Sequence, residues 1–269
     1  MAFTTSLIQF DIVFKDPEQN RKILKKWVKE AVNNNPDLLV LPETWTTGFA
    51  ASVFKNADRY AEKEDGKSIS LIREIAADNN VYIAAGSIIE KDGNNFYNTM
   101  YLVDREGSIV GKYRKMHLFS VLDEDRGLNN GEDMPVFKTD FGKLACMTCY
   151  DIRFVEMART YALKGAQAII VVANFPAPRL NHWRILLQAR AIENQLYIIA
   201  CNRVGQAEGN YFFGHSMVIN PRGEIITEAG EEETVLTASI DFNRVSKVRN
   251  EIPMYKDRKP EFYFKTGGI

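Results

Sequence analysis

Apolar residues along the chain follow two spacings, one typical of strands and one typical of helices. Short apolar runs predict buried strands at residues 6–14, 38–41, 81–89, 98–103, 108–113, 137–139, 143–148, 168–173, 197–203, 216–220, 224–228 and 235–240. Recurrence every three or four positions predicts helices at residues 17–34, 68–79, 155–164, 181–194 and 242–250. Strands that alternate with helices and are interrupted by hairpins predict an α/β fold with mixed sheets.

The composition is that of a globular protein without a strong charge bias. Lys and Arg number 34 against 35 Asp and Glu, and 45% of the 269 residues are hydrophobic. These values exclude wholesale disorder and argue against a nucleic-acid partner. No apolar stretch reaches the roughly 20 residues of a bilayer span, and residues 1–14 lack the pattern of a secretory signal. We therefore expect one cytoplasmic domain over residues 1–269, with no membrane partner.

A cysteine between a predicted strand and a predicted helix is the first candidate for chemistry. Cys149 follows the strand 143–148 and precedes the helix that begins near Phe154. Free N–H groups and the dipole at a helix N-terminus favour a thiolate and can hold an oxyanion, so we expect a lowered thiol pKa. Cys146 and Cys201 lie inside predicted strands and are interpreted as small buried hydrophobic residues.

Cys146 and Cys149 also form a C-x-x-C pair, which raises the alternative of a redox or zinc site. In an extended segment the offset of three residues places the thiols on opposite faces, roughly 10 Å apart. A disulfide needs Cα atoms within about 7 Å. A zinc site needs further ligands, and Cys201 and the three histidines are scattered singly along the chain. No metal is therefore expected.

Two charged residues follow other predicted strands. Glu43 comes just after the run 38–41, and Lys115 follows the strand 108–113. Catalytic groups of α/β proteins collect at strand ends, although each of these residues taken alone is typical of a solvated loop. Together with Cys149 they form a plausible base, oxyanion stabiliser and nucleophile.

Three segments, in this order, resemble the signature of the nitrilase or carbon–nitrogen hydrolase superfamily. They are Leu-Pro-Glu43, Tyr113-Arg-Lys115-Met-His-Leu and Cys149-Tyr-Asp-Ile-Arg-Phe. Nearly the whole chain shares the resemblance, and Pro-Ala-Pro-Arg179, His182-Trp183 and Cys201-Asn-Arg-Val-Gly are similar to an omega-amidase-like branch. The resemblance implies a four-layer α-β-β-α sandwich with two mixed sheets and no cofactor. It also implies a homodimer, with the tail 251–269 and its aromatic residues 262–264 at the interface.

The resemblance further implies a role for each site residue. Glu43 is the expected general base, Cys149 the nucleophile, and Lys115 with the backbone N–H of Tyr150 the stabiliser of the oxyanion. A second glutamate is expected in the loop after the lysine. Glu124 is the match, and Asp123, Asp125 and Glu132 are the alternatives.

The segment 175–183 is expected to form the substrate side of the site. Its candidates are Phe175, Arg179, His182 and Trp183, and Arg179 could pair with a substrate carboxylate. The alternatives are a His-Trp pair that only packs and caps a helix, and an arginine that lies on the surface.

The expected reaction is hydrolysis of a small linear amide by water through a thioester. The resemblance implies the omega-amidase type, for example conversion of 2-oxoglutaramate to 2-oxoglutarate and ammonia. Hydrolysis of N-carbamoyl compounds or nitriles by the same three residues is the first alternative. A scaffold without catalytic activity is the second.

Overall fold

Two β-sheets face each other in the computed structural model, which describes residues 2–263. The strands are β1 Ala2–Gln9, β2 Leu38–Val40, β3 Tyr82–Ala84, β4 Ile88–Asp92, β5 Asn95–Val103, β6 Ile109–Arg114, β7 Val136–Lys138, β8 Lys143–Thr148, β9 Ala168–Ala173, β10 Tyr197–Asn202, β11 Val204–Ala207, β12 Asn210–Phe213, β13 Met217–Ile219, β14 Ile225–Glu228 and β15 Thr234–Asp241. The α-helices are α1 Pro17–Ala31, α2 Ala51–Phe54, α3 Ala57–Tyr60, α4 Lys67–Asn79, α5 Val155–Leu163, α6 Leu180–Asn194, α7 Asn243–Glu251, α8 Met254–Asp257 and α9 Pro260–Tyr263.

Both sheets combine parallel and antiparallel pairs, as predicted. The first has the order β15-β1-β2-β3-β5-β4, with β6 also paired to β5. The second has the order β14-β13-β10-β9-β8-β7. Strands β1, β2 and β3 are parallel in the first sheet, and β8, β9 and β10 are parallel in the second. The flanking strands pair antiparallel, so the parallel ends that carry the candidate residues lie at the centre of each sheet.

Alternation along the strands produces the layers. In β1, Leu7 belongs to the core between the two sheets, whereas Ile8 packs in the core beneath α1 and α4. The same change of face separates Val40 from Leu39 in β2. Helices α5 and α6 cover the outer face of the second sheet, where Leu187 joins the core. The central strand β9 is apolar throughout because both of its faces are buried.

The prediction of one strand over residues 81–89 is wrong, because Gly86 interrupts it. Gly86 has a φ of +57°, and a Cβ there would lie 2.0 Å from the carbonyl oxygen of Pro42. The next residue, Ser87, donates its N–H to the same carbonyl at 3.3 Å, and its Oγ accepts from the N–H of Thr44 at 2.8 Å. The interruption therefore holds the backbone on both sides of Glu43.

Two other differences concern the segments beside the site. The first strand ends at Gln9 rather than at residue 14, and the hairpin of β11 and β12 was not predicted. Its two turn residues, Glu208 and Gly209, both have positive φ, which matches the twist of a two-residue hairpin. Glu-Gly is a weaker sequence signal for this turn than Asn-Gly or Asp-Gly. Within residues 2–263, no helix has the length and apolar character needed to cross a membrane.

Candidate active site

A buried ion cluster lies where β2 and β6 end. The Nζ atom of Lys115 lies 2.9 Å from Oε1 of Glu43 and 2.8 Å from Oε2 of Glu124, and all three side chains are 0% exposed. Asp123, an alternative to Glu124, instead pairs with Lys55 near the surface. Among the described residues considered for that loop, Glu124 is therefore the carboxylate that reaches Lys115.

Each carboxylate in the cluster accepts several hydrogen bonds. Glu43 Oε1 accepts from Lys115 and from the side-chain amide of Asn98, and its Oε2 accepts from the N–H of Asn174 at 2.8 Å. Glu124 accepts from Lys115, from the same Asn98 amide and from the N–H of Phe119. Donors of this number and charge stabilise buried carboxylates, which are otherwise costly to remove from water.

Cys149 lies at a sharp turn between β8 and α5. Its φ is +47°, a left-handed conformation that residues other than glycine adopt rarely, and it opens a short 3-10 helix that ends at Arg153. The side chain is buried, with Sγ 3.8 Å from the carbonyl oxygen of Asn174. The expected strand-to-helix position is confirmed, although the 3-10 helix separates the cysteine from α5.

The expected lowering of the Cys149 pKa is wrong. Burial raises the pKa of the thiol well above its usual range, and the charge of Glu43 raises it further. Lys115 acts in the opposite direction but does not outweigh both effects. Burial alone would lower the pKa of Lys115, yet Glu124 and Glu43 raise it, so the ammonium stays charged. The thiol thus carries its proton until a nearby base removes it.

Burial also raises the pKa of Glu124, against the lowering effect of Lys115. The cluster holds two carboxyl groups around one ammonium, so the second carboxylate receives only part of the compensation that a single one would have. A shifted carboxyl group beside a buried thiol is typical of sites that transfer protons.

Asp151 fixes the turn of Cys149 against the strand that leads to Lys115. Its Oδ2 accepts from the hydroxyl of Tyr113 at 2.6 Å and from the N–H of Thr148 at 2.8 Å. Its Oδ1 accepts from the N–H and the ring of His117. The segments before Cys149 and on both sides of Lys115 therefore share one buried carboxylate.

A small cavity opens above Cys149. Its described lining is Phe49, Phe119, Leu122, Tyr150, Arg153, Asn174, Phe175, Pro176 and Arg179. The wall is mainly aromatic and apolar, and two guanidinium groups lie on it. That of Arg153 lies 5.7 Å from the centre of the Phe175 ring, and that of Arg179 lies 6.0 Å from the centre of the Phe119 ring.

The four residues predicted for the substrate side occupy different places. Phe175 and Arg179 line the cavity, whereas His182 and Trp183 do not contribute to its described wall. Trp183 is fully buried behind Phe175, at 5.2 Å between ring centres, and its indole N–H donates to the carbonyl of His215. His182 is exposed, with Nδ1 3.5 Å from Arg153. Of the two interpretations of the His182-Trp183 pair, substrate contact or packing, packing applies to Trp183.

Three residues near the reactive groups were not singled out from the sequence. Asn98 begins a predicted strand, Asn174 directly follows the apolar run 168–173, and Arg153 lies inside the cysteine segment. Asn174 has the same signal as Glu43, a polar residue just past a buried strand. Asn98 has a weaker one, since it is a polar residue at a position that the pattern makes buried. The described residues contain no group of three or more His, Cys, Asp or Glu side chains placed to hold a metal ion.

Comparison with known proteins identifies the family. Residues 4–250 match the carbon–nitrogen hydrolase model. The chain belongs to the carbon–nitrogen hydrolase family. It is 41% identical to a 2-oxoglutaramate amidase of Bacillus subtilis, over 98% of this chain and all of the relative. It is 34% identical to an omega-amidase of Xenopus laevis, over 97% of this chain and 96% of that one.

Solved structures of the family share the fold. The crystal structure of a carbon–nitrogen hydrolase from Helicobacter pylori aligns with a TM-score of 0.91 at 26% identity, covering 100% of this chain and 99% of that one. The predicted α/β class, with two mixed sheets between layers of helices, is confirmed. The protein is a hydrolase that acts on carbon–nitrogen bonds other than peptide bonds, through cysteine-dependent amide hydrolysis.

Proposed function

We propose that this hydrolase is an omega-amidase. Its substrate is a short linear molecule with an amide at one end and a carboxylate at the other, of the 2-oxoglutaramate type. The observation that carries the proposal is the buried Lys115 cluster beside Cys149, together with the cavity that Cys149 lines, whose wall holds two arginines. The names of the Bacillus and Xenopus relatives support the same substrate class.

The first step is attack of Cys149 on the amide carbon. Glu43 takes the proton of the thiol as the sulfur–carbon bond forms, so a resting thiolate is not required. Its Oε1 is held by Lys115 and Asn98, which leaves Oε2, bonded so far to the N–H of Asn174, to receive the proton. The carbonyl becomes a tetrahedral oxyanion. Lys115 and the backbone N–H of Tyr150 stabilise this charge, because the first N–H groups of a helical turn have no partner inside it.

The second step breaks the carbon–nitrogen bond. Glu43 returns the proton to the amide nitrogen, ammonia leaves, and a thioester on Cys149 remains. Water then attacks the thioester while Glu43 takes one of its protons. Collapse of the second oxyanion breaks the sulfur–carbon bond and releases the carboxylic acid, and Glu43 gives its proton to the departing sulfur, which restores the thiol. Glu124 holds Lys115 in place throughout, by its two contacts of 3.1 and 2.8 Å.

The arginines account for the carboxylate at the far end of the substrate. A guanidinium binds a carboxylate with two parallel hydrogen bonds, and Arg153 and Arg179 lie on the same cavity wall as Cys149. Phe175 forms the apolar part of the wall, supported from behind by Trp183. His182 helps to orient Arg153.

A panel of four compounds at equal concentration tests the proposal by ammonia release. The panel consists of 2-oxoglutaramate, glutamine, an N-carbamoyl amino acid and an aliphatic nitrile. We expect the highest kcat/KM for 2-oxoglutaramate. If the carbamoyl compound or the nitrile reacts fastest, the substrate assignment is wrong even though Cys149 still acts. If no compound reacts, the omega-amidase proposal fails as well.

Two arginine variants sharpen the substrate assignment. Arg153→Ala and Arg179→Ala should each raise KM for 2-oxoglutaramate by roughly 10- to 100-fold, the value of one charge-assisted contact. KM for a short neutral amide should change little. Arg222→Ala is the matched control, because Arg222 pairs with Glu251 on the surface. An equal rise in KM for the charged and the neutral amide would mean that the arginines only shape the cavity wall.

We also propose a homodimer that forms through α5 and α6. Val155 and Leu163 on α5, and Ile185 and Ile192 on α6, are each about half exposed. Their spacings of eight and seven residues place each pair on one helix face. The tail 251–269 lies beside this surface as far as it is described, since Tyr263 lines a groove with Val155 and Leu163, and residues 264–269 lie outside the described part. Leu163→Glu with Ile192→Glu should yield monomers in sedimentation, whereas a wild-type monomer would contradict the proposal.

The cytoplasm is the proposed compartment for the enzyme. The mechanism needs a reduced thiol at Cys149, and all three cysteines are free. Cytosolic thiols are kept reduced. Activity in cell fractions, followed as ammonia release from 2-oxoglutaramate, should therefore appear with cytosolic markers and be absent from the others.

A further inference from the structure

One residue of β5 contacts all three charged groups of the site. The side-chain amide nitrogen of Asn98 donates to Glu43 at 2.8 Å and to Glu124 at 2.9 Å. The backbone carbonyl of the same residue accepts from the N–H of Lys115 at 2.8 Å. Asn98 is 0% exposed and lies within β5, the strand that pairs with both β4 and β6.

The orientation of the Asn98 side-chain amide follows from the negative charges of its two partners. An amide nitrogen carries two hydrogens, one for each carboxylate, whereas the reverse orientation would aim a carbonyl oxygen at two negative groups. The positive end of the amide dipole therefore faces Glu43 and Glu124. It adds no net charge, so it stabilises both carboxylates without competing with Lys115 for them.

A purely structural role does not explain this side chain. Its carbonyl oxygen is buried and has no hydrogen-bond partner among the described residues. A buried acceptor without a partner is costly, and an apolar side chain of similar volume would avoid the cost. Its backbone contact to Lys115 needs no amide. The two donors to the carboxylates are what the asparagine provides.

We propose that Asn98 is a positioning residue that keeps Glu43 and Glu124 ionised and 
aligned around Lys115, so that Glu43 can receive the proton of Cys149. The proposal deepens the function given above and rests on it for the role of Glu43. Asn98 acts through the two glutamates and is assigned no contact with the substrate.

Two substitutions separate the effect of the hydrogen-bond donors of Asn98 from the effect of its side-chain shape. Asn98→Leu keeps a similar volume without donors, and Asn98→Asp keeps the shape but adds a third carboxylate. We expect kcat to fall roughly 10- to 100-fold in Asn98→Leu and further in Asn98→Asp, the range for hydrogen bonds to charged groups. KM should change little. The acid limb of the kcat profile should move to higher pH in both variants, and more in Asn98→Asp, because uncompensated negative charge favours proton binding.

A second readout does not depend on turnover. The rate at which iodoacetamide alkylates Cys149, followed on its peptide by mass spectrometry across pH, reports how easily the thiol loses its proton. The midpoint of the alkylation rate against pH should be higher in both Asn98 variants, because uncompensated negative charge beside Cys149 favours the protonated thiol. If wild type releases no ammonia but the midpoints move, the proposed function fails and the role of Asn98 stands. If wild type is active and both variants keep the wild-type midpoint and acid limb, the role of Asn98 is wrong.

Asn194→Leu is the matched control. Asn194 is also 0% exposed, its carbonyl oxygen also has no partner among the described residues, and its amide donates to Glu193 and to the carbonyl of Arg190. We expect a lower melting temperature and an unchanged alkylation midpoint. An equal shift of the midpoint in this variant would overturn the proposal. So would loss of the folded state in both Asn98 variants, since the amide would then serve the fold.

Discussion

Two ion clusters with different buried groups lie at β6 and at the residue that follows it. Lys112 and Arg114 share the outer face of β6, whereas Lys115, directly after the strand, reaches the buried inner cluster. In the outer cluster the buried carboxylate is Glu90, which Lys112 and Arg114 contact at 2.6 and 2.8 Å. Each of these cations also pairs with a more exposed carboxylate, Glu64 or Asp92. The inner cluster has two carboxylates, Glu43 and Glu124, with one cation. Residues next to each other in the chain therefore build one site with a buried carboxylate between two cations and another with a buried cation between two carboxylates.

The pKa values of Glu90 and Glu124 are shifted in opposite directions. Burial alone would raise the pKa of Glu90, but hydrogen bonds from Arg114 and Lys112 lower it to about 2. Water reaches this cluster, since Lys112 is 33% and Arg114 23% exposed. In the inner cluster, which is fully buried, burial raises the pKa of Glu124 despite Lys115. Two cations in contact with one buried carboxylate favour its ionised form, whereas one cation shared by two buried carboxylates offsets the burial of Glu124 only in part.

The largest effect should come from removing the sulfur while leaving both clusters intact. Cys149→Ala should reduce turnover by at least about 10⁴-fold, because the described lining of the cavity has no second thiol to form the thioester. Cys146→Ala and Cys201→Ala are the controls, since both thiols are buried within strands, and they should keep most of the activity. The measurement is ammonia release from 2-oxoglutaramate, with the acyl group located by mass spectrometry of trapped protein. Substantial turnover by Cys149→Ala would remove the thioester from the mechanism.

The same substitution in the two clusters tests the comparison directly. Glu43→Gln should lower kcat by roughly 10²- to 10⁴-fold, the usual contribution of a general base. Glu90→Gln changes the same chemical group on the other face of the sheet and should leave kcat within about twofold. Both variants are assayed for ammonia release and for melting temperature. Similar losses of activity in both would mean that the two clusters act as one electrostatic unit.

The sequence predicted the parts of the site that follow buried strands. Glu43 and Cys149 were found because strand ends are visible as apolar runs that stop at polar residues. The resemblance to a family added Glu124, which a charged loop could not single out by pattern. The fold class followed from alternation of strand and helix spacings, and Gly86 shows its limit, because a glycine that needs positive φ is invisible to hydrophobic pattern.

Partners across long sequence distances were beyond the pattern. Asn98 meets Glu43 across 55 positions, and Asn174 meets it across 131. No local signal reports such pairs, since they arise from the order of strands in the sheets. The predicted lowering of the Cys149 pKa is wrong for a related reason. The helix N-terminus is a local feature, whereas the burial and the glutamate charge that outweigh it are set by tertiary packing.

A smaller effect on kcat is expected when one of the two carboxylates of the inner cluster is replaced by a neutral amide. Glu124→Gln should lower kcat by roughly 10- to 100-fold, since Lys115 loses a charged partner. The charge of Glu124 raises the pKa of Cys149, so its removal should move the alkylation midpoint of that cysteine to lower pH. Alkylation by iodoacetamide at several pH values measures this shift. A midpoint that moves to higher pH would show that Glu124 acts on the thiol mainly through the position of Lys115.

The smallest effect should appear in the stability of Glu90→Gln and should depend on pH. The pKa of Glu90 is lowered from 4.5 to about 2 in the folded protein, so the ionised carboxylate favours the folded state wherever the unfolded chain is also ionised. This contribution is complete above about pH 4.5 and is lost as the pH falls towards 2. Glu90→Gln should therefore unfold about 2 kcal/mol more easily at pH 7, from the loss of hydrogen bonds to a charged group. The gap from wild type should narrow between pH 5 and pH 3, measured by urea unfolding. A gap of constant size across that range would assign the loss to packing of the side chain, and the outer cluster would then differ from the inner one in position alone.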